Sequence, residues 1–282
     1  MAGRGTAVVT GSSTGIGRAC AVALDRAGFH VLAGVRKDAD GESLRAAAPG
    51  LEPVNVDVTD AATIEALRAK VDAEHAGHLA ALVNNAGISV AGPVEGVPLD
   101  EWRRQFEVNV IGQVAVTKAL LPALRDAKGR VAFMSSVGGR NALGLLGPYG
   151  ASKHAIEAIG DALRQEMEPF GVNVAIVEPG SVATPIWEKG LEGADAMRAE
   201  LGEEVNRLYG ERLDAFERLA EKTGAAGVPP EDVAKAVIHA MTADRPKTRY
   251  VVGRDARAQL AMKAVLPDRA LDRLIARMIS GQ

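Results

Sequence analysis

Seven short apolar runs recur along the chain, at 6–10, 31–35, 54–58, 81–84, 131–135, 172–177 and 250–253, with helical stretches between them. Several runs, such as Val131-Ala132-Phe133-Met134, are continuously apolar instead of alternating, which is the pattern of a strand covered on both faces. Strands alternating with helices predict an α/β fold: a doubly wound sheet of about seven parallel strands with helices on both faces. Ligands of such sheets sit beyond the carboxyl ends of the strands. No repeat, low-complexity tract or linker interrupts the pattern, so residues 1–282 read as a single domain. The stretch 185–228 holds no strand candidate, only charged helical sequence broken by Gly190, Gly193, Gly202, Gly210 and Gly224. An insertion of that length at the ligand edge reads as a helical substrate lid within the domain.

Composition narrows the class. The chain is 47% hydrophobic and 24% charged with a net charge of -3, an ordinary globular balance that gives no reason to expect nucleic acid as a partner. One cysteine, Cys20, excludes an internal disulfide and fits a reducing, cytoplasmic setting. The residues before the first strand are too few for a signal peptide, and no apolar stretch approaches the roughly 20 residues of a membrane span. The tail 258–278 mixes Leu, Ala, Val and Ile with Lys263, Arg269, Arg273 and Arg277. It reads as an amphipathic helix over the core or a subunit interface, with a membrane-surface helix as the alternative.

The candidate chemistry lies at strand ends. Thr10-Gly11-Ser12-Ser13-Thr14-Gly15-Ile16-Gly17 falls between the first strand and a helix expected at 18–27. Glycines there allow a tight turn and close approach of backbone amides to phosphate, at the positive end of a helix. After the second strand, Gly34 stands where an acidic group would bind the ribose of NAD, and Arg36 with Lys37 follows. A cation there can pair with the extra phosphate of NADP, so NADP is favoured modestly over NAD. Asp57, with Val58, is expected to end the third strand and to accept a hydrogen bond from an adenine amino group. On a helix, Tyr149 and Lys153 share one face one turn apart, so an ammonium can stabilise a phenolate. Ser136 follows the fifth strand, where its hydroxyl can reach the same point. The five histidines show no metal-ligand spacing in the sequence, so no metal is expected.

These elements together resemble the short-chain dehydrogenase/reductase family in its compact form, with a Rossmann-type sheet, over most of the chain. The matching residues are Gly11-xxx-Gly15-x-Gly17, Asp57, Asn84-Asn85-Ala86-Gly87, Asn109, Ser136, Tyr149-xxx-Lys153 and Pro179-Gly180-x-Val182-x-Thr184. The resemblance implies Tyr149 as general acid/base, and Lys153 as the group that lowers the tyrosine pKa and holds the nicotinamide ribose. It implies Ser136 as the donor that polarises the substrate oxygen and Asn109 as the holder of a relay water. Asn84, Ala86 and Gly87 would approach the adenosine ribose, and Pro179, Gly180, Val182 and Thr184 would position the carboxamide. It also implies a homodimer or homotetramer paired through the helices after Asn109 and Tyr149.

The substrate pocket is expected from 89–93, 137–146 and 185–228, with Val90, Val137, Leu143, Leu145, Leu146, Ile186 and Trp187 as its apolar wall and Arg140 and Asn141 as polar candidates. An apolar wall implies a small lipophilic substrate. The pattern from Arg245 to Ala256 resembles the branch containing retinol dehydrogenases and 17β-hydroxysteroid dehydrogenases. The expectation is an oxidoreductase interconverting alcohol and carbonyl; the alternatives are a 3-oxoacyl thioester reductase and a catalytically silent nucleotide sensor.

Overall fold

The protein is described by a computed structural model over residues 3–184 and 202–280. The described residues form one seven-stranded parallel sheet in the order β3-β2-β1-β4-β5-β6-β7. The strands are β1 (Thr6–Val9), β2 (His30–Val35), β3 (Leu51–Asn55), β4 (Leu79–Asn84), β5 (Arg130–Met134), β6 (Asn173–Pro179) and β7 (Arg249–Val252). The described helices are α1 (Gly15–Arg26), α2 (Asp38–Ala47), α3 (Ala61–Glu74), α4 (Leu99–Phe106), α5 (Gly112–Asp126), α6 (Gly147–Met167), α7 (Glu203–Ala225), α8 (Pro230–Thr242), α9 (Arg254–Val265) and α10 (Asp268–Ser280).

Side chains alternate across a strand, so each strand feeds two cores. Ala7, Val9, Val31 and Ala33 pack with Leu24 of α1, Leu44 of α2 and Val237 of α8. Val8, Leu32, Leu82 and Phe133 pack on the opposite face with Leu67 and Val71 of α3, Leu120 of α5 and Ile156 of α6. Both faces are thereby sealed, which is why these strands are apolar on both faces through their middles, with polar residues confined to their ends. The winding reverses between β1 and β4, and in such sheets the crevice opens at that switch point, past the carboxyl ends of the strands.

Three expectations are corrected in detail. The third strand lies at Leu51–Asn55, so Asp57 falls in the turn beyond it instead of ending it. Asp57 Oδ1 accepts from the Thr59 amide at 2.9 Å and its hydroxyl at 2.7 Å, a local turn that competes with extension of the strand. Asp60 then caps α3 by accepting from the Ala62 amide at 2.8 Å. In the described part of the 185–228 stretch, α7 runs unbroken through Gly210, because the tertiary contacts of Leu213 and Phe216 outweigh a single glycine's low helix propensity. The tail is two helices, α9 and α10, divided at Leu266 and Pro267, since proline ends a helix before it. Residues 185–201, including Ile186 and Trp187, lie outside the described residues. Among the described residues no helix is long and apolar enough to cross a membrane.

Candidate active site

The glycine loop is shaped by contacts that a side chain would break. Gly11 has φ 67° and Gly15 φ 55°, in the left-handed region that favours glycine. A Cβ on Gly17 would stand 2.1 Å from the Gly11 carbonyl oxygen, so α1 can begin against this loop only with glycine there. Asn85 holds the loop from behind, its side-chain amide donating to the carbonyls of Thr10 at 3.0 Å and Gly11 at 3.1 Å. The Thr10 hydroxyl accepts in turn from the Asn85 and Ala86 amides, both at 3.0 Å. No side chain caps α1, and its first turn carries no acidic residue. The helix start therefore offers free amides and partial positive charge, a cradle that fits the pyrophosphate of a dinucleotide.

That loop opens into a cavity of about 440 Å³. Gly11, Ser13, Thr14, Gly15, Ile16 and Gly17 line one end of it, with Arg36, Asp57 and Val58 from the turns after β2 and β3 beside them and Ala86 and Gly87 after β4. At the other end are Ser136, Tyr149 and Lys153, with Pro179, Gly180, Val182 and Thr184 alongside. Residues spread from position 11 to position 184 thus meet in one space. Arg36 is largely exposed, and its guanidinium lies 3.9 Å from Asp57. The hydrogen bonds from Thr59 and the charge of Arg36 outweigh burial and hold the Asp57 carboxyl below the usual carboxylate range.

Two expected residues lie behind the wall. Asn84 is fully buried and donates to the Thr117 hydroxyl at 2.7 Å, so it ties β4 to α5, while its neighbour Asn85 lines the cavity. Asn109 is likewise buried, within a wide helical turn (Glu107–Ile111) between α4 and α5. Its side chain accepts from the Ile88 amide at 2.8 Å and donates to the Ile88 carbonyl at 3.0 Å and the Ser152 hydroxyl at 3.2 Å. All of its polar groups are thereby used in fastening the loop after β4 to α6. A turn of this kind inside a helix is commonly a functional feature.

Tyr149 stands in the first turn of α6 and Lys153 one turn on, as the four-residue spacing requires. The Lys153 ammonium is 5.7 Å from the centre of the Tyr149 ring and donates to the Met134 carbonyl at 2.8 Å. Burial drives the Lys153 pKa down to about 8, with the negative charge of Glu157 opposing. Burial also pushes the Tyr149 phenol above its ordinary value, and the hydrogen bond with Ser136 acts the other way. The expected lowering of the tyrosine pKa by Lys153 is therefore not present in this arrangement: withdrawal from water dominates, and the ammonium is turned toward β5. The Ser136 hydroxyl also accepts from the Gly138 amide at 3.0 Å.

Of the remaining lining, the part on α7 falls in the 185–228 stretch expected to form the pocket, whereas the part on α9 and α10 was not foreseen. Phe216, Leu219 and Ala220 of α7, Met262 of α9 and Leu271, Leu274 and Ile275 of α10 form an apolar roof over the tyrosine end. Val137, Asn141, Leu143 and Leu146 line the cavity as expected, whereas Val90 packs with Val97 and Leu213, and Arg140 turns to Glu178 at 3.2 Å. Leu145 also packs outside the lining, against Val90 and Leu213, its backbone left-handed at φ 66°. Asp255 at the start of α9 accepts from the Ser181 amide at 2.7 Å and so holds the loop after β6. Behind Lys153, Arg249 binds Glu157 and Glu178 at 3.0 Å each and Asp161 at 2.6 Å. Sequence spacing carried no sign of these pairs, because they join β6, β7 and α6 across the sheet.

Comparison with known proteins agrees with this geometry. The family description "short chain dehydrogenase" matches residues 5–194. An NADPH-dependent 3-dehydrocapnine reductase of Ornithobacterium rhinotracheale is 36% identical over 275 residues, covering 95% of either chain. Retinol dehydrogenase 5 of Mus musculus is 38% identical over 276 residues, covering 95% of this chain and 86% of its own. Among solved structures, a short-chain dehydrogenase from Streptomyces avermitilis superposes with a TM-score of 0.81 at 31% identity, over 98% of this chain and 97% of that one. With a family match across more than half of its length and relatives of this identity from end to end, the chain belongs to the short-chain dehydrogenase family.

Proposed function

We propose that the protein interconverts an alcohol and a carbonyl on a lipophilic substrate, with NADP(H) as the preferred nicotinamide cofactor and Tyr149 as the acid/base. The observation that carries this reading is one cavity with a phosphate cradle at one end and, at the other, a phenol and a serine hydroxyl beneath an apolar roof. When bound, the nicotinamide supplies or accepts the hydride. The chain's own residues manage the proton and the fit. Ser136 donates a hydrogen bond to the substrate oxygen, and Tyr149 gives that oxygen its proton in reduction or takes it in oxidation. Since burial keeps the phenol protonated at neutral pH, the resting site is charged for reduction, and oxidation gains as pH rises. We read Lys153 as the group that would hold ribose hydroxyls, in exchange for its 2.8 Å bond to the Met134 carbonyl. Asn109 acts by positioning Ile88 and Ser152 beside them.

Arg36 lines the cavity where a 2′-phosphate would stand, which supports NADP(H), and the NADPH dependence named for one relative agrees. Asp57, already paired with Arg36, serves the adenosine end. The roof of α7, α9 and α10 supports a lipophilic skeleton, and we read α7 as part of a lid. The test is turnover with NADP and NAD across steroids, retinoids, aliphatic alcohols and acyl thioesters, in wild type, Tyr149→Phe and Arg36→Asp. Tyr149→Phe is expected to lose about 10²–10⁴-fold in rate with cofactor affinity kept. Arg36→Asp is expected to cut the NADP/NAD affinity ratio about tenfold or more, the worth of a charged hydrogen bond. Undiminished turnover in Tyr149→Phe would falsify the acid/base assignment.

A further inference from the structure

At the amino-terminal edge of the sheet, opposite Tyr149, three strands and one helix end bring two imidazoles and a carboxylate together. Residues two apart on a strand face the same way. In the parallel register Thr6 lies beside His30, and Glu52 lies beside Leu32, two residues on from His30. Val8 and Leu32 pack on the α3 face, so Thr6, His30 and Glu52 belong to one row on that face. α3 ends at His75, which sets a second imidazole over the row, its ring centre 5.1 Å from that of His30. One ligand atom from each of His30, Glu52 and His75 lies within 4.8 Å of the other two. Sequence spacing hides this group, because its members come from three separate elements.

The bonding around the group leaves one ligand atom, His75 Nε2, without a partner. Lys70 Nζ takes Glu52 Oε1 at 2.7 Å and also Glu74 at 2.7 Å, while Glu52 Oε2 meets His30 Nε2 at 2.8 Å. His75 Nδ1 pairs with the Thr6 hydroxyl at 3.0 Å, and His75 Nε2 is buried with no hydrogen-bond partner. In the tautomer that gives Nδ1–H to the Thr6 hydroxyl, the lone pair stands on Nε2, as in a ring whose other nitrogen is fixed by a neighbour for metal binding.

We propose that His30, Glu52 and His75 bind a divalent transition cation, zinc by the nature of the donors, which fastens the end of α3 to β2 and β3. Two imidazole nitrogens and one carboxylate oxygen, with water in the fourth position, form a set zinc accepts. Zinc bonds of about 2.0–2.2 Å require the three atoms to draw closer, and the His30 side chain, 46% exposed, has room to move. The cation takes the His30 Nε2 lone pair in place of the hydrogen now held between Nε2 and Glu52 Oε2, and the neutral ring carries that hydrogen on Nδ1 instead. Thr6 and Lys70 orient the ligands from behind. The site lies at the far edge of the sheet from the cavity, so it serves the fold and not the hydride step.

The test uses full-length, untagged protein, titrated calorimetrically with Zn²⁺ alone and followed with Co²⁺ by visible absorption, in wild type, His75→Ala, Glu52→Gln and His78→Ala. Expected are one zinc per chain in wild type, affinity weaker by at least about tenfold in His75→Ala and in Glu52→Gln, and no change in His78→Ala, whose ring is exposed nearby. Zinc should raise the wild-type melting temperature, and cofactor turnover should be equal in all four proteins. Absence of zinc binding in wild type, or binding undiminished in either ligand variant, overturns the proposal. Glu52→Gln keeps the shape of the site and decides the matter should His75→Ala fail to fold.

Discussion

Lys153 shows how strongly one residue's surroundings alter its chemistry. Its pKa falls from 10.5 to about 8 because burial costs the ammonium its hydration. Between those two values the folded chain has released a proton that the unfolded chain still holds, so stability rises with pH across that window. The shift is worth on the order of 3 kcal/mol by the standard conversion. Urea unfolding of the cofactor-free protein should therefore show wild type gaining stability relative to Lys153→Met as pH rises from about 8 toward 10.5. A flat difference would mean that the lysine titrates as it does in water. Gly11 and Gly17 are the contrasting kind of residue, needed for what they lack: a Cβ at Gly17 would strike the Gly11 carbonyl and close the phosphate cradle. That requirement was readable from the glycine spacing, whereas the raised phenol of Tyr149 was not. The spacing placed Lys153 near Tyr149 but carried nothing about the water both lose.

Among the elements, α10 has the largest functional consequence that pattern reading left open. Its apolar residues were legible as the buried face of an amphipathic helix, but not what they bury. Leu271, Leu274 and Ile275 face the cavity along with Phe216 of α7 and Met262 of α9. Leu274→Ala is expected to lower kcat/KM for a lipophilic substrate by up to about thirtyfold, the worth of roughly 2 kcal/mol of apolar contact, while cofactor affinity holds. Steady-state kinetics with the best substrate of the panel measures this, and an unchanged kcat/KM would remove α10 from the substrate wall. The third strand was misplaced by three residues for a local reason. The stretch 54–58 is as apolar as a strand, but Asp57 and Thr59 close a turn within it, and the pairing with β2 begins at Leu51.

For the whole molecule, the sheet separates two regions: the cavity at the carboxyl edge and the histidine–glutamate group at the amino edge. The long surfaces of α5 and α6 lie between them, and we expect these helices to pair two chains, as the family resemblance implies. Ile111, just before α5, is about half exposed in the single chain and would be covered by such pairing. Light scattering should return a dimer or a tetramer, and a monomer at all concentrations would reject that pairing.

The sequence by itself determined the layer order of the fold, the cradle and the Tyr149 and Lys153 pair, because each depends on local geometry. Strand period, helix period and glycine conformation act over a few residues, and they leave their signature in adjacent letters. The bonding of Asn84 and Asn109, the part of the apolar roof that α9 and α10 supply, the Arg249 ion-pair group and the meeting of His30, Glu52 and His75 were decided only by the tertiary structure. They join residues from separate elements, and their distances follow from strand register and helix docking. Two imidazoles 45 positions apart become neighbours once β2 pairs with β1 and α3 lies down on that face.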